Sequence, residues 1–320
     1  MNALSKEQAS RIAVGDEAAG QRIDNFLARL LKGVPKSHVY RILRSGEVRL
    51  NGRRAAPDAR LAAGDSLRIP PVRVAALSTP RRAPPSRVPV LYEDDDLIAL
   101  DKPSGLAVHG GSGVAYGVIE SLRAARPEAR MLELVHRLDR DTSGVLLVAK
   151  RRPALTSLHR MFRAGEIDKR YLVLVRGRWR DATRVVRLPL HRFATRDGER
   201  RVRVDADSGQ EAATTFRRIE VWRDRNPPLA LLEAELHTGR THQIRVHATH
   251  IGFPLAGDDK YGDFAWNREL AREGLKRMFL HARSLTLAHP VDGTTLRLEA
   301  PLPADLSRYL ARLGAQATHG

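Results

Sequence analysis

The chain has 320 residues, 42% of them hydrophobic, enough for about two domains with substantial cores. It has no cysteine, which excludes disulfides and thiolate metal sites, and no apolar run of about 18 residues that could cross a membrane as a helix. Lysine and arginine number 55 against 37 acids, a net charge of +18; that surplus favours a polyanion, nucleic acid above all, although an arginine-rich proteome would give the same excess.

Residues 1–20 read as a polar lead-in without the apolar segment of a secretory signal. A basic unit follows over 21–74. Apolar residues at helical spacing from Asp24 to Leu31 predict a first helix, with Asp24 as its N-cap and Gly33 as its stop. Ser37 is a candidate cap for a second helix through Leu43, which Gly46 would close. Val48 to Gly52 reads as a strand entering an Asn-Gly turn, and Ala63-Gly64-Asp65 as a turn before the strand Ser66 to Ile69. Residues 21–73 hold 12 Lys/Arg against 4 acids. Lys32, Lys36, Arg41, Arg44 and Arg49, gathered around the helix pair, are candidate phosphate contacts; an ordinary solvated helix face is the alternative. Residues 75–89 carry four prolines, three arginines and no acid, the composition of an extended linker.

The second domain, 90–320, opens with strands at Val90 to Tyr92 and Leu97 to Leu100 around the acidic turn Glu93 to Asp96. The glycine-rich His109 to Gly113 matches neither GxxxxGK[ST] nor GxGxxG and reads as a flexible loop. A short helix is expected over Val118 to Ala125. The stretch His136 to Gly144, HRLDRDTSG, then feeds a buried strand, Val145 to Ala149. Leu155, Leu158 and Phe162 share a helical face. Lys169 to Gly177 is a central strand, 185–237 a series of short strands, Asp258 to Gly262 a turn, and Met278 to Leu287 and Thr294 to Leu298 closing strands. Thr238 to His247 opens a polar-to-apolar segment. Many strands and few helices predict an α+β domain on a mixed, largely antiparallel sheet.

Asp139, flanked by arginines and next to a core strand, is a candidate chemical centre; a structural ion pair would look the same. His242, His247 and His250 lack HExxH or cysteine partners and read as hydrogen-bonding groups rather than metal ligands. No GxSxG is present. Asp139 and Asp141 are close in sequence without having to face one cleft, so a glycosidase pair does not follow.

HRLDRDTSG, with DKPSG at 101–105 and HGGSG upstream and KRYLVLVRG at 169–177 and GRTHQIRVH at 239–247 downstream, resembles the RluA family of pseudouridine synthases. The basic unit resembles an S4 RNA-binding module in Arg22-Ile23-Asp24, Arg41, Gly46, Val48, Asn51-Gly52 and Gly64-Asp65. The resemblance runs over about 21–305. It implies the pseudouridine synthase fold and isomerisation of uridine within RNA, with no cofactor and no metal. It implies Asp139 as the catalytic carboxylate, Arg245 as its partner, Tyr171 as the aromatic that stacks on the target base, and Ile244 packing near that base. Substrate contact is expected from Lys102, Lys169, Arg240 and His242, and substrate contact or loop support from Arg137 and Arg140. The S4-like module, the stretch Val108 to Lys150 and the segment Leu236 to Gly262 together narrow the resemblance to members acting on large-subunit ribosomal RNA. That implies 23S rRNA or its precursor as the partner, at more than one site, for a cytoplasmic monomer that needs no membrane. An isolated buried carboxylate is driven towards its neutral form, and a guanidinium beside it opposes this.

Two other classes compete. A non-catalytic RNA-binding or ribosome-assembly factor would explain the charge but requires Asp139, Tyr171 and Arg245 to be dispensable. A nucleoside glycosylase would break the same bond and release free uracil.

Overall fold

The computed structural model describes residues 8–31, 34, 36–72, 83–110, 115–195 and 199–317. Contacts divide the chain into two units, Met1–Arg82 and Ala83–Gly320. No described helix is long and apolar enough to cross a membrane.

In the first unit, strand β1 (Ser10–Ala13) precedes helices α1 (Ile23–Leu30) and α2 (Lys36–Arg44) and the short strands β2 (Arg49–Leu50), β3 (Arg53–Arg54) and β4 (Ser66–Ile69). The strands form a sheet in the order β1-β4-β2-β3. Phe26 and Leu27 of α1 and Val39, Ile42 and Leu43 of α2 bury their side chains against Val48, Leu67 and Ile69. Each such side chain contributes about 1.5–3 kcal/mol. Asn51 and Gly52 both have positive φ, 50° and 78°, as a two-residue hairpin turn of the right twist requires. Asp24 is not the N-cap of α1, which is Arg22. Its carboxylate is instead occupied by the Arg22 guanidinium at 2.8 Å and the Tyr40 hydroxyl at 2.9 Å. Lys32 and Gly33 lie outside the described residues, as do the side chain of Lys36 and positions 111–114 of the glycine-rich segment.

The second unit comprises, in order, β5 (Val90–Glu93), β6 (Leu97–Lys102), α3 (Val118–Ala125), β7 (Glu133–Leu134), β8 (Ser143–Ala149), α4 (Arg152–Ala164), β9 (Asp168–Arg176), β10 (Thr183–Arg187), β11 (Leu190–Ala194), β12 (Arg200–Val204), β13 (Ala213–Trp222), β14 (Leu229–Leu236), α5 (Gln243–His250), α6 (Phe264–Arg272), β15 (Leu280–Ala288), β16 (Thr295–Glu299) and α7 (Ala304–Ala317). Ten described strands form one sheet, β10-β13-β14-β9-β15-β8-β6-β5, with β16 on β15 and β7 on β8. Among the described strands only β8 and β15 pair in parallel. This is the mixed, largely antiparallel sheet of the sequence reading. β11 and β12 form a separate hairpin.

The central strands are buried on both faces, with side chains alternating between two cores. Leu97, Ala99, Val145 and Leu147 pack with Leu155, Leu158 and Met161 of α4. Ile98, Leu100, Leu146 and Val148 pack on the other side with Val118, Ile119 and Leu122 of α3. The second face also holds Leu138, Tyr171, Ile244 and Leu280, and the candidate site lies on it.

Two features depart from the sequence reading. The chain does not close on strands, because α7 follows β16, and α6 precedes β15. The segment after Thr238 becomes α5, in which Gln243 to Ala248 are all buried. A helix covered all round has no apolar stripe, so the 3.6-residue pattern that would reveal it is absent.

Candidate active site

The loop His136 to Thr142 is fixed at both ends. Leu138 is buried with Tyr171 and Ile244, which leaves the next residue, Asp139, at the rim of a cleft with its side chain 26% exposed. Downstream, Gly144 adopts a φ of 112° where β8 runs beside Ala282 of β15. A Cβ at Gly144 would collide with the Ala282 carbonyl, so glycine is what allows the two strands to pair there. From below, the Lys102 ammonium donates to the carbonyls of Pro103 (2.8 Å), Leu106 (2.8 Å) and Arg140 (2.9 Å). Ser104 Oγ donates to the Asp141 carbonyl at 2.8 Å.

Arg245 meets this loop from α5. Its Nη1 donates to Asp139 Oδ2 at 3.2 Å. Its Nε and Nη2 grip the two oxygens of Asp258, each at 2.7 Å. Asp258 is fully buried and also accepts from the backbone N–H groups of Lys260 (2.8 Å) and Tyr261 (3.0 Å). Burial pushes the Asp258 carboxyl up, but the Arg245 hydrogen bonds and charge outweigh it and hold it below its ordinary value. Burial likewise pushes Arg245 down, and the Asp258 hydrogen bonds and the charges of Asp258 and Asp139 more than reverse it. The guanidinium is therefore a permanent cation shared between an enclosed carboxylate and one at the cleft.

Gln243 explains the shape of the segment entering α5. Its Oε1 accepts from Thr238 Oγ1 (2.7 Å) and the Arg240 N–H (2.9 Å), and its Nε2 donates to the Ala213 carbonyl (2.9 Å) and Thr214 Oγ1 (3.0 Å). His247 is buried between Thr214 Oγ1 (3.0 Å) and the Leu188 carbonyl (2.9 Å).

The cleft has a volume of about 450 Å³. Of the residues expected at the site, Arg137, Asp139, Lys169, Tyr171, Arg240, His242, Ile244 and Arg245 line it. Tyr171 is 8% exposed, and its hydroxyl has no hydrogen-bond partner among the described residues. Burial and the nearby Asp139 charge hold that hydroxyl well above the ordinary tyrosine value, so the ring is a neutral surface. Lys169 donates to the Ile167 carbonyl at 2.9 Å, and burial pushes its ammonium below the usual lysine range.

Two expected substrate contacts are corrected. Lys102 is completely buried with its ammonium spent on three carbonyls, so it cannot reach a substrate; burial, opposed by Asp141, pushes it down to about 7. The guanidinium of Arg140 is exposed, faces Asp141 at 3.3 Å and does not line the cleft. Lys102 acts on the loop through its backbone, and Arg140 contributes its carbonyl to that contact. In the first unit, Arg41 and Arg44 line a groove of about 540 Å³ with Ser37, Tyr40 and Ser45. Arg41 also pairs with Glu47 at 2.9 Å, while Arg49 is half-buried on β2 and does not line the groove.

Sequence reasoning missed Asp258, read only as part of a turn, and Tyr261 beside it. It also missed Arg192 and Leu280, which line the cleft. The adjacent acids Asp258-Asp259 gave no sign of which is buried: the first is fully enclosed, the second 75% exposed.

The sequence profile of RNA pseudouridylate synthases matches residues 96–250, and that of the S4 domain matches 21–67. The ribosomal large subunit pseudouridine synthase C of Salmonella typhi is 51% identical over 314 residues, covering 96% of this chain and 97% of the relative. Its namesake in Escherichia coli strain K12 is 52% identical over 310 residues, covering 94% and 96%. Among solved structures, human RNA Pseudouridylate Synthase Domain Containing 4 is 26% identical, with a TM-score of 0.57 over 70% of this chain and 92% of its own. The chain belongs to the RNA pseudouridine synthase family and carries an S4 domain ahead of its synthase domain.

Proposed function

We propose that this enzyme converts uridine to pseudouridine in large-subunit ribosomal RNA, at more than one site, with Asp139 as the catalytic carboxylate. One observation carries the assignment of Asp139: its carboxylate stands at the rim of the cleft with one oxygen held by the buried Arg245. The large-subunit target rests on the names of the relatives and on the S4 domain with its arginine-lined groove. The same reading makes the enzyme a cytoplasmic monomer acting where ribosomal RNA is found.

In the reaction the N1–C1′ bond of uridine breaks and a C5–C1′ bond forms, so the base is retained. A uridine stacked in folded RNA hides that bond and has to be flipped out, which costs a few kcal/mol. The Tyr171 ring supplies a stacking surface on the cleft wall, worth about 1–3 kcal/mol per base. Arg245 holds the Asp139 carboxylate oriented at the rim. Attack of the carboxylate on C1′, attack on C6, and proton removal in a glycal route all require that oriented carboxylate, and the geometry serves them alike. Arg137 and Arg240, both exposed, add cationic groups around the opening for the RNA backbone.

Asp139→Asn tests the assignment. Mapping of pseudouridine in rRNA from a deletion strain complemented with the variant should show no modification, while the purified variant still binds the RNA. Normal modification by the variant would remove Asp139 from the reaction, and release of free uracil by the parent would mark a glycosylase.

A further inference from the structure

His242 carries three observations that the proposed reaction leaves unused. It lines the cleft, and its Nε2 lies 3.7 Å from Asp139 Oδ1, the oxygen that Arg245 does not hold. Its Nδ1 lies 2.7 Å from the Tyr261 hydroxyl. Its backbone, at the N-cap of α5, sits in the left-handed region with φ 53° and ψ 21°, a conformation that is uncommon outside glycine. Such an outlier at a cleft points to a side chain whose placement is worth the strain.

The two ring nitrogens have different surroundings, and these decide where the proton sits. The Tyr261 hydroxyl oxygen accepts from the Val202 N–H of the β11–β12 hairpin at 2.9 Å. Burial pushes that hydroxyl up to about 12, so it keeps its proton and donates it to Nδ1. A neutral ring with Nδ1 accepting carries its hydrogen on Nε2. The opposite tautomer would set the Nε2 lone pair against the lone pairs of Asp139. Burial also lowers the His242 pKa against the pull of Asp139, which favours the neutral ring. The Tyr261 ring itself is wedged against Arg245, whose guanidinium carbon is 5.1 Å from the ring centre.

We propose that His242 is a positioning residue for the catalytic carboxylate: a neutral imidazole, locked by Tyr261 with its Nε2–H towards Asp139 Oδ1, which closes on that oxygen when uridine fills the cleft. Arg245 and His242 then hold the two carboxylate oxygens separately, a cation on one and a neutral donor on the other. Long catalytic hydrogen bonds that tighten on substrate binding are common in unliganded enzymes. The proposal rests on Asp139 being the catalytic carboxylate.

The test uses the full chain and a large-subunit rRNA fragment that the parent modifies. His242→Ala should lower kcat by about 10- to 100-fold, with KM for RNA within about twofold, as expected when a hydrogen bond to a charged group is lost from the transition state. His242→Gln, which keeps an N–H donor, should recover part of the loss. Tyr261→Phe should lower kcat less, and the double variant Tyr261→Phe/His242→Ala should be no slower than His242→Ala alone, since the hydroxyl acts through the imidazole. Nitrogen-15 spectra of histidine-labelled parent should show a His242 signal, identified by its absence in His242→Gln, with Nε2 protonated and Nδ1 bare. That signal should move towards mixed tautomers in Tyr261→Phe. Additive losses, a loss confined to KM, or an Nδ1-protonated ring would overturn the proposal. Activity in Asp139→Asn would instead overturn the assignment of Asp139, so the two failures are distinct.

Discussion

Asp258→Asn is the change that most directly asks whether the site is held by its buried ion pair. The substitution keeps the shape of the side chain and removes its charge. In the parent, Asp258 is fully buried and receives two 2.7 Å hydrogen bonds from Arg245, which is 5% exposed. In the variant the amide nitrogen of asparagine would face a guanidinium N–H, donor against donor. Arg245 would be left with Asp139 and, at 3.7 Å, the exposed Asp259 as its remaining counter-charges. Removing one partner of a buried pair costs about 3–5 kcal/mol because the other charge stays desolvated. Against a total stability of about 5–15 kcal/mol this is severe. For a unit of this size it corresponds to a fall in Tm of roughly 6–20 °C.

The assay can be confined to the synthase unit, because the three tryptophans of the chain, Trp179, Trp222 and Trp266, all lie in it and all are buried. Urea unfolding followed by tryptophan fluorescence therefore reports that unit alone. Asp259→Asn is the control, and should change stability by less than about 0.5 kcal/mol, as for an exposed pair. The sign with pH follows from the folded-state pKa of Asp258, which lies below its ordinary 3.8. The stabilisation is complete above that ordinary value and is lost as pH falls through the lower folded value. The gap between parent and Asp258→Asn should thus be constant from pH 5 to 8 and narrow only in stronger acid. A variant within about 1 kcal/mol of the parent at pH 7 would refute the reasoning that the pair holds α5 to the loop.

Three further outcomes are expected. Tyr171→Phe should keep most of the activity, since the hydroxyl has no partner among the described residues, whereas Tyr171→Ala should cost about 10- to 100-fold in kcat/KM through lost stacking; equal losses in steady-state assays would contradict a stacking role. Lys102→Met leaves the carbonyls of Pro103 and Leu106 without their donor and the Arg140 carbonyl with the Gly105 N–H alone, and should destabilise the synthase unit by about 3 kcal/mol, while also lowering kcat because the Arg140 carbonyl next to Asp139 loses one of its two anchors; a variant as active and as stable as the parent would refute this supporting role. Arg41→Ala/Arg44→Ala should weaken RNA binding and reduce the slope of log K against log salt by about 1–2, and an unchanged slope in a filter-binding titration would remove the groove of the S4 domain from the interface.

What the sequence made legible is what local pattern controls. The alternation and buried runs that predict β6, β8 and β9 are direct consequences of a sheet covered on both faces, and those strands appear where their apolar runs lie. The same rule hid α5: Gln243, Arg245 and His247 are polar yet buried, each by virtue of a partner far away in sequence, Ala213 and Thr214, Asp258 and Asp139, Thr214 and Leu188. No pattern within α5 can announce partners that only the sheet brings together. Lys102 makes the complementary point. A lysine in a polar motif beside the Asp139 loop reads as a substrate contact on charge alone, and nothing in DKPSG reveals that Pro103, Leu106 and Arg140 turn their carbonyls onto its ammonium. The chemistry of a charged residue here depends on whether backbone oxygens or solvent surround it, which is set by how β6 ends against the loop after Asp139. A motif can therefore assign a residue to a site while leaving open whether it touches the substrate or holds up the residue that does. In this chain Asp139 and Tyr171 face the cleft, whereas Lys102 and Asp258 work behind it.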